Sequence, residues 1–314
     1  MTLEQTHPTI SSIPLLRPSN DAPNPSILII SPVKDEGLYL QRTVESITRQ
    51  DHPVAKWIIV NDGSSDDTGL IADRAAEVHP WIHVLHRPAG TQRRVGPGVI
   101  EAFYAGLELA DLKSFDFVCK LDGDLEFGPR YFANLMSRFA NDPQLGTASG
   151  KAYIPVNGSW VYERTGDQFS HGVAKLYRRE CFCQIGGFIR QVMWDGIDCH
   201  RCRMLNWKAE SYPDPELAIK HLRQMGSSHR SVFHGRRRWG QGQYFMGTHP
   251  LYMAGITGYR MMERPWVLGG LNILLGYCQS RIRGDEQYAD PEFRRHLRKW
   301  QMQELRARVF GSDR

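Results

Sequence analysis

The stretch Phe117-Val118-Cys119-Lys120-Leu121-Asp122-Gly123-Asp124 carries the plainest chemistry in the chain. An apolar run of strand length ends in two aspartates separated by one glycine. Side chains alternate between the two faces of a strand. Once the strand stops at Gly123, a turn can bring Asp122 and Asp124 to one point. Two carboxylates held close repel each other, and a divalent cation relieves that repulsion. Oxygen-only ligands favour Mg²⁺ or Mn²⁺ over zinc, and such a cation takes its remaining ligands from water and substrate phosphates. The plainer reading is a loop with two solvated aspartates.

Three other positions bear on the same chemistry. Asp62 follows the apolar run Trp57-Ile58-Ile59-Val60, and ligands of open α/β sheets bind at the carboxyl ends of strands. The loop Arg87 to Gly98 carries Arg93, Arg94 and two glycines before a helix, a pattern that can hold a diphosphate through guanidinium and backbone N–H groups. Asp195 lies at the start of a helix that runs through Trp207, where an aspartate also serves as an N-cap.

The elements that position these residues follow from hydrophobic period. Ser26–Val33 reads as a fully buried parallel strand stopped by Pro32, and Leu38–Arg49 as the helix after it. Strands are predicted at Lys56–Val60, Ile82–Leu85 and Asp116–Leu121. Helices are predicted at Gly69–Val78, through Leu109, and from the Phe127-Gly128-Pro129-Arg130 start. The pattern then loosens, with an edge strand at Lys151–Ile154, a helix at Ala174–Ile185 and a turn at Gly186-Gly187. Strands alternating with helices imply an α/β fold with a mostly parallel central sheet flanked by helices.

At 314 residues the chain suits one large domain with an appendage. Residues 1–25, rich in Pro, Ser, Thr and Asn, read as a flexible tail; 26–232 as the catalytic domain; 233–314 as a basic helical extension. Net charge is +5, but from Phe233 onward 14 Lys/Arg face 7 Asp/Glu. The basic character therefore belongs to the C-terminal quarter and speaks of partners rather than fold. Met1–Asn24 has neither the basic start nor the apolar core of a signal peptide, so a cytoplasmic location with reduced thiols is expected. Cys181, Cys183, Cys199 and Cys202 fit no standard zinc spacing, and free thiols are the expectation.

In this order, four segments resemble glycosyltransferase family 2, enzymes of the GT-A fold that use nucleotide-sugar donors. They are Ser31-Pro32-Val33-Lys34-Asp35-Glu36, Val60–Thr68 with its Asn-Asp-Gly-Ser-Ser core, Leu121-Asp122-Gly123-Asp124, and Trp194-Asp195-Gly196-Ile197-Asp198. The resemblance covers Pro25 to Trp239. It implies that Pro32 and Glu36 line a nucleoside pocket, that Asp62 accepts from the base N3–H, and that Asp122 and Asp124 grip the diphosphate through Mg²⁺ or Mn²⁺. It implies Asp195 as general base, with Asp198 in reserve because Trp194 stands where the family usually has glutamate. His221 resembles a downstream histidine that joins the metal or diphosphate; the plainer reading is a surface or core histidine. Arg237-Arg238-Trp239 partly matches a Q-x-x-R-W motif, with Gly235 at the glutamine position, and Arg238 is a candidate for the donor side.

The implied reaction transfers a sugar from a nucleotide-diphosphate donor, UDP-linked by family habit, to a hydroxyl of a lipid-linked or cell-surface glycan precursor. One base and no evident nucleophile imply direct displacement with inversion. Gly235–His249, basic and aromatic, reads as a mobile loop over the donor. Pro265–Cys278 is apolar but shorter than the ~20 residues of a membrane span. It is either a helix buried on the catalytic domain or an interfacial segment, and a peripheral contact with the inner face of the cell membrane follows from the second reading. Two alternatives are a sugar-phosphate nucleotidylyltransferase, whose glycine-rich nucleotide loop is missing from Ser31–Gly37, and a non-catalytic nucleic-acid or membrane-binding module. Aromatics concentrated in apolar runs argue against a nucleic-acid partner.

Overall fold

The computed structural model describes residues 24–88, 96–163, 165–223, 232–262 and 265–310. The first half alternates as its hydrophobic period dictates: β1 (Ile27–Val33), α1 (Leu40–Thr48), β2 (Lys56–Asn61), α2 (Thr68–Val78), β3 (Ile82–His86), α3 (Pro97–Leu107) and β4 (Phe117–Leu121). Then come β5 (Leu125–Glu126), α4 (Tyr131–Asn141), β6 (Leu145–Gly150), β7 (Ala152–Val156), β8 (Ser159–Tyr162), β9 (Ala174–Arg178), α5 (Arg179–Gln184), α6 (Trp194–Met204), β10 (Lys208–Tyr212) and β11 (Ile219–His221). Four helices finish the described chain: α7 (Val232–Met246), α8 (Pro250–Arg260), α9 (Val267–Arg283) and α10 (Pro291–Phe310).

A seven-stranded sheet in the order β10-β6-β9-β4-β1-β2-β3 forms the centre. It is parallel except at β9, which runs antiparallel to both β4 and β6. Burial on both faces explains the unbroken apolar runs. In β1, Ile27, Ile29 and Val33 join the core beneath α1, α2 and α4, while Leu28 and Ile30 join the core on the α3, α5 and α6 side. A small sheet, β5-β11-β7-β8, sits over the end of β4 where the aspartate pair emerges.

Three predictions need correction. Ala174–Ile185 is not one helix: Ala174–Arg178 is strand β9, and only Arg179–Gln184 is helical. Lys175 and Tyr177 alternate with Ala174 and Leu176, a period of two that two polar side chains disguise. Lys151–Ile154 is not an edge, since β7 is paired on both sides, by β11 and β8. Gly235–His249 is not a loop, for most of it lies in α7. Its glycines serve close packing: a Cβ on Gly240 would lie 1.9 Å from the Ile273 carbonyl oxygen of α9. Among the described residues, no helix is long and apolar enough to cross a membrane.

Candidate active site

The loops after β1 and β2 are stapled to each other. Asp35 adopts a left-handed backbone (φ 53°); its Oδ1 accepts from the Ser65 N–H at 2.8 Å, and its own N–H donates to Ser64 Oγ at 3.0 Å. The Glu36 N–H donates to Thr68 Oγ1 at 2.7 Å, and the Gly37 N–H donates to Asp66 Oδ2 at 2.8 Å. These bonds set Glu36 and Asp62 at the carboxyl ends of adjacent parallel strands, with Pro32 paired to Val60 between them. Asp62 is held by Arg87, whose Nη1 lies 2.6 Å from Oδ1.

The aspartate pair divides. Asp124 is 1% exposed; its Oδ2 lies 3.0 Å from His221 Nε2 and 2.6 Å from Arg223 Nε. Arg223 also donates to Glu36 Oε1, so one guanidinium ties the β1 loop to the aspartate motif. Burial alone would raise the Asp124 carboxyl, but His221 and Arg223 hold it below the ordinary carboxylate range. Burial likewise disfavours the His221 imidazolium, yet the hydrogen bond and charge of Asp124 raise its pKa above the usual histidine value. Asp122, 29% exposed, accepts instead from the buried Lys120 ammonium, which also donates to the Gly172 carbonyl at 2.9 Å. Each aspartate thus has a cation of its own, and the charges of both act on His221 and Arg223. Gly123 makes the turn tight, since a Cβ there would lie 2.6 Å from Val33 Cγ1.

Among the described residues, no three His, Cys, Asp or Glu side chains stand arranged as a metal site. The donor set nevertheless fits a cation. The fit rests on donor chemistry, a carboxylate beside an imidazole, and not on the 3.0 Å between Asp124 Oδ2 and His221 Nε2, which is a hydrogen-bond distance. Asp122 supplies a further carboxylate from the same turn.

Asp195 opens α6, in the first helical turn. A Cβ on Gly172 would come within 2.8 Å of its Oδ2, so the glycine leaves room for this carboxylate. Burial raises the Asp195 pKa, and the charge of Asp198 adds to it against the opposing pull of Lys175. Asp198 differs: it is 1% exposed, and its Oδ2 accepts from Lys175 Nζ and from Tyr177 Oη, each at 2.5 Å. Its Oδ1 accepts from the Cys199 N–H at 2.6 Å. With both oxygens engaged, Asp198 fits an anchoring role. Trp194 lies beside two lysines, with Lys120 Nζ 5.2 Å and Lys175 Nζ 5.6 Å from the ring centroid. Lys120 and Lys175 are cross-strand partners of β4 and β9, and each is neutralised by its own aspartate.

Arg93 and Arg94 lie outside the described residues. Arg238 sits half-buried on α7, where burial lowers its guanidinium pKa. Reading the sequence alone misses Lys120, Lys175, Arg223 and a buried pair beside Gly172. That pair is His171, 4% exposed, whose Nε2 lies 3.4 Å from Glu163 Oε2. The one available signal is a charged residue inside a strand pattern, as at Lys120 and Lys175. Of the four cysteines, Cys181, Cys199 and Cys202 are buried free thiols and Cys183 is exposed.

The glycosyl transferase family 2 model matches residues 28–194. Over 150 residues the chain is 28% identical to the polyprenol monophosphomannose synthase of Mycolicibacterium smegmatis, covering 47% of this chain and 53% of that protein. Over 110 residues it is 32% identical to the undecaprenyl-phosphate mannosyltransferase of Micrococcus luteus, covering 35% and 42%. The chain spans about half, or less, of the length of these curated relatives. Among solved structures, a mannosyltransferase from Pyrobaculum calidifontis in complex with GDP-Man and Mn²⁺ superposes with a TM-score of 0.53 at 18% identity, covering 94% of this chain and 91% of that one. That likeness establishes the GT-A fold. With more than half of its length matched by the family, this chain belongs to glycosyl transferase family 2.

Proposed function

We propose that the chain is an inverting, metal-dependent glycosyltransferase. It moves a sugar from a nucleotide-diphosphate donor to a hydroxyl of a lipid-linked or cell-surface glycan precursor. The observation that carries this reading is the pairing of a carboxylate poised to accept a proton, Asp195, with the Asp124-His221-Arg223-Glu36 cluster at the strand ends. Glu36, Pro32 and Asp62 line the nucleoside side, and the known ligand of the archaeal neighbour supports a nucleotide-sugar donor. UDP is the expected nucleotide carrier.

Asp122, Asp124 and His221 would hold Mg²⁺ or Mn²⁺, whose charge offsets that developing on a departing diphosphate. Arg223 and Lys120 add fixed positive charge at the same place, in a partly desolvated setting where it counts for more than in water. Asp195 takes the proton of the acceptor hydroxyl as that oxygen attacks the anomeric carbon from the face opposite the diphosphate. Its raised proton affinity suits the task, for a base with an ordinary carboxylate pKa holds a proton weakly near neutral pH. Asp198, through Lys175, fixes the first turn of α6: Lys175 Nζ also donates to the Asp195 carbonyl at 2.8 Å. His171 and Glu163 flank the acceptor side.

The test is a screen of UDP- and GDP-sugars with Mg²⁺ or Mn²⁺, with water, lipid-linked saccharides and glycan hydroxyls as acceptors. One donor is expected to turn over, with inversion, and EDTA, Asp195→Asn and Asp124→Asn are each expected to suppress it. Release at the wild-type rate from Asp195→Asn would overturn the assignment of the base.

A further inference from the structure

The helical hairpin formed by α8 and α9 is apolar on both of its sides. Its inner side, with Met253, Ile273 and Tyr277, packs as a core. Its outer side is also apolar. On α9, Leu268, Leu271, Leu275 and Ile282 fall at helical spacing on one stripe, exposed by 57, 38, 50 and 85%. This stripe spans fifteen residues, a rise of about 21 Å. The outer side of α8 shows Leu251, Ala254 and Gly258, and Met262 and Trp266 stand exposed at the turn between the helices. Soluble surface helices turn polar residues outward, and contiguous apolar patches on this scale mark interaction sites.

Charge says what covers it. Arg283, exposed, closes the last turn of α9; Arg281 beside it reaches back to Tyr277 of the packed side, and exposed Asp285 and Glu286 follow. Helix α10 packs on α8, with Leu305 beside Gly255, and carries exposed Arg295, Lys299, Arg306 and Arg308. A second copy docked through the same face would bring like charges together, whereas anionic headgroups neutralise them. We propose that the outer face of the α8–α9 hairpin is a docking surface for an anionic lipid bilayer, with Trp266 at the level of the headgroups.

The surface is tied to the site. A Cβ on Gly276 of α9 would lie 2.0 Å from the Arg237 carbonyl of α7, and one on Gly242 of α7 would lie 2.6 Å from Met193 Cγ. Met193 directly precedes Trp194 and Asp195. The docked face therefore holds the start of α6 at a fixed place relative to the bilayer. On the reading proposed above, that presents Asp195 to an acceptor carried by a lipid.

The experiment is flotation of the full chain with vesicles of phosphatidylcholine alone, and of phosphatidylcholine with phosphatidylglycerol, without any donor. Wild type is expected to float with the anionic vesicles. Leu268→Glu/Leu275→Glu is expected to lower the bound fraction at least about tenfold. Arg283→Gln/Arg306→Gln is expected to lower it about twenty-fivefold, roughly fivefold per arginine. Both variants should keep the wild-type Tm. Absence of wild-type binding to both vesicle types would overturn the proposal. So would a wild-type dimer that Leu268→Glu/Leu275→Glu converts to monomer. Because no donor is present, failure here leaves the glycosyl-transfer reading standing, and failure of donor turnover leaves this one standing.

Discussion

His221 Nε2 stands 3.0 Å from Asp124 Oδ2, which also lies 2.6 Å from Arg223 Nε. On the function proposed above, a proton and a cation would compete for these two side chains. The histidine pKa is raised and the aspartate pKa is lowered. The histidine's stabilising contribution is full below its unfolded value, near 6.5, and fades as pH climbs through its raised folded value. The aspartate's contribution is present above 3.8 and is lost as pH falls through its depressed folded value. Mn²⁺ should accordingly raise the Tm of the wild type, more so at higher pH, by an amount equivalent to about 2.7 kcal/mol at a hundredfold excess over Kd. Asp124→Asn should abolish that shift and lower donor turnover by about two to three orders of magnitude. A cation-induced shift that survives in Asp124→Asn would place the cation elsewhere.

Asp195 shows the opposite linkage. Its pKa is raised because burial disfavours the carboxylate. The folded state thus binds this proton more tightly than the unfolded state, and stability falls as pH rises from 3.8 through the raised folded value. Above that value the ionised group is a standing cost. Asp195→Asn should therefore melt higher than wild type at neutral pH while losing transfer. In the wild type, the acid limb of kcat/KM should lie above the range of an ordinary carboxylate. A melt unchanged between pH values on either side of that limb, in both proteins, would remove the strain from Asp195.

Much of this site is written locally. Ile27, Ile29 and Leu28, Ile30 announce a strand buried on both faces, and Asp62, Asp122 and Asp195 each sit where an apolar run ends or a helix begins. What escapes local reading is whatever depends on distant partners. Strand β9 reads as helix because Lys175 interrupts what would be an apolar run, and that lysine is tolerable inside through Asp198, the Asp195 carbonyl and the Trp194 ring. Arg223 meets Glu36 across 187 positions, a separation over which no spacing rule operates. Helix α7 reads as a loop because glycine lowers helix propensity, and the reason for glycine lies on α9.

The Lys175–Asp198 pair is almost wholly buried, at 0% and 1% exposure. Burial depresses an ammonium, but the charge of Asp198 reverses this and raises the Lys175 pKa. Removing one member leaves a charge without its partner. Lys175→Met should cost roughly 3–5 kcal/mol, read from chemical denaturation. Lys175→Met/Asp198→Leu should cost clearly less than the sum of the single changes, because no orphan charge remains. Additive losses would mean that the two residues act independently.

Two glycines in the same helical unit should respond to alanine with opposite signs. At Gly276 a Cβ would lie 2.0 Å from the Arg237 carbonyl oxygen, a backbone atom that cannot rotate away. Gly276→Ala must push α9 off α7, and should cost about 1–3 kcal/mol or more while weakening vesicle binding. At Gly258, helical and solvent-facing on α8, a Cβ meets nothing within 4 Å. There alanine restricts the unfolded chain and favours the helix, so Gly258→Ala should stabilise by about 0.5–1 kcal/mol and leave catalysis untouched. Thermal melts of the two variants check both signs at once. If Gly276→Ala were as benign as Gly258→Ala, the close crossing of α7 and α9 would not be what fixes the hairpin to the start of α6.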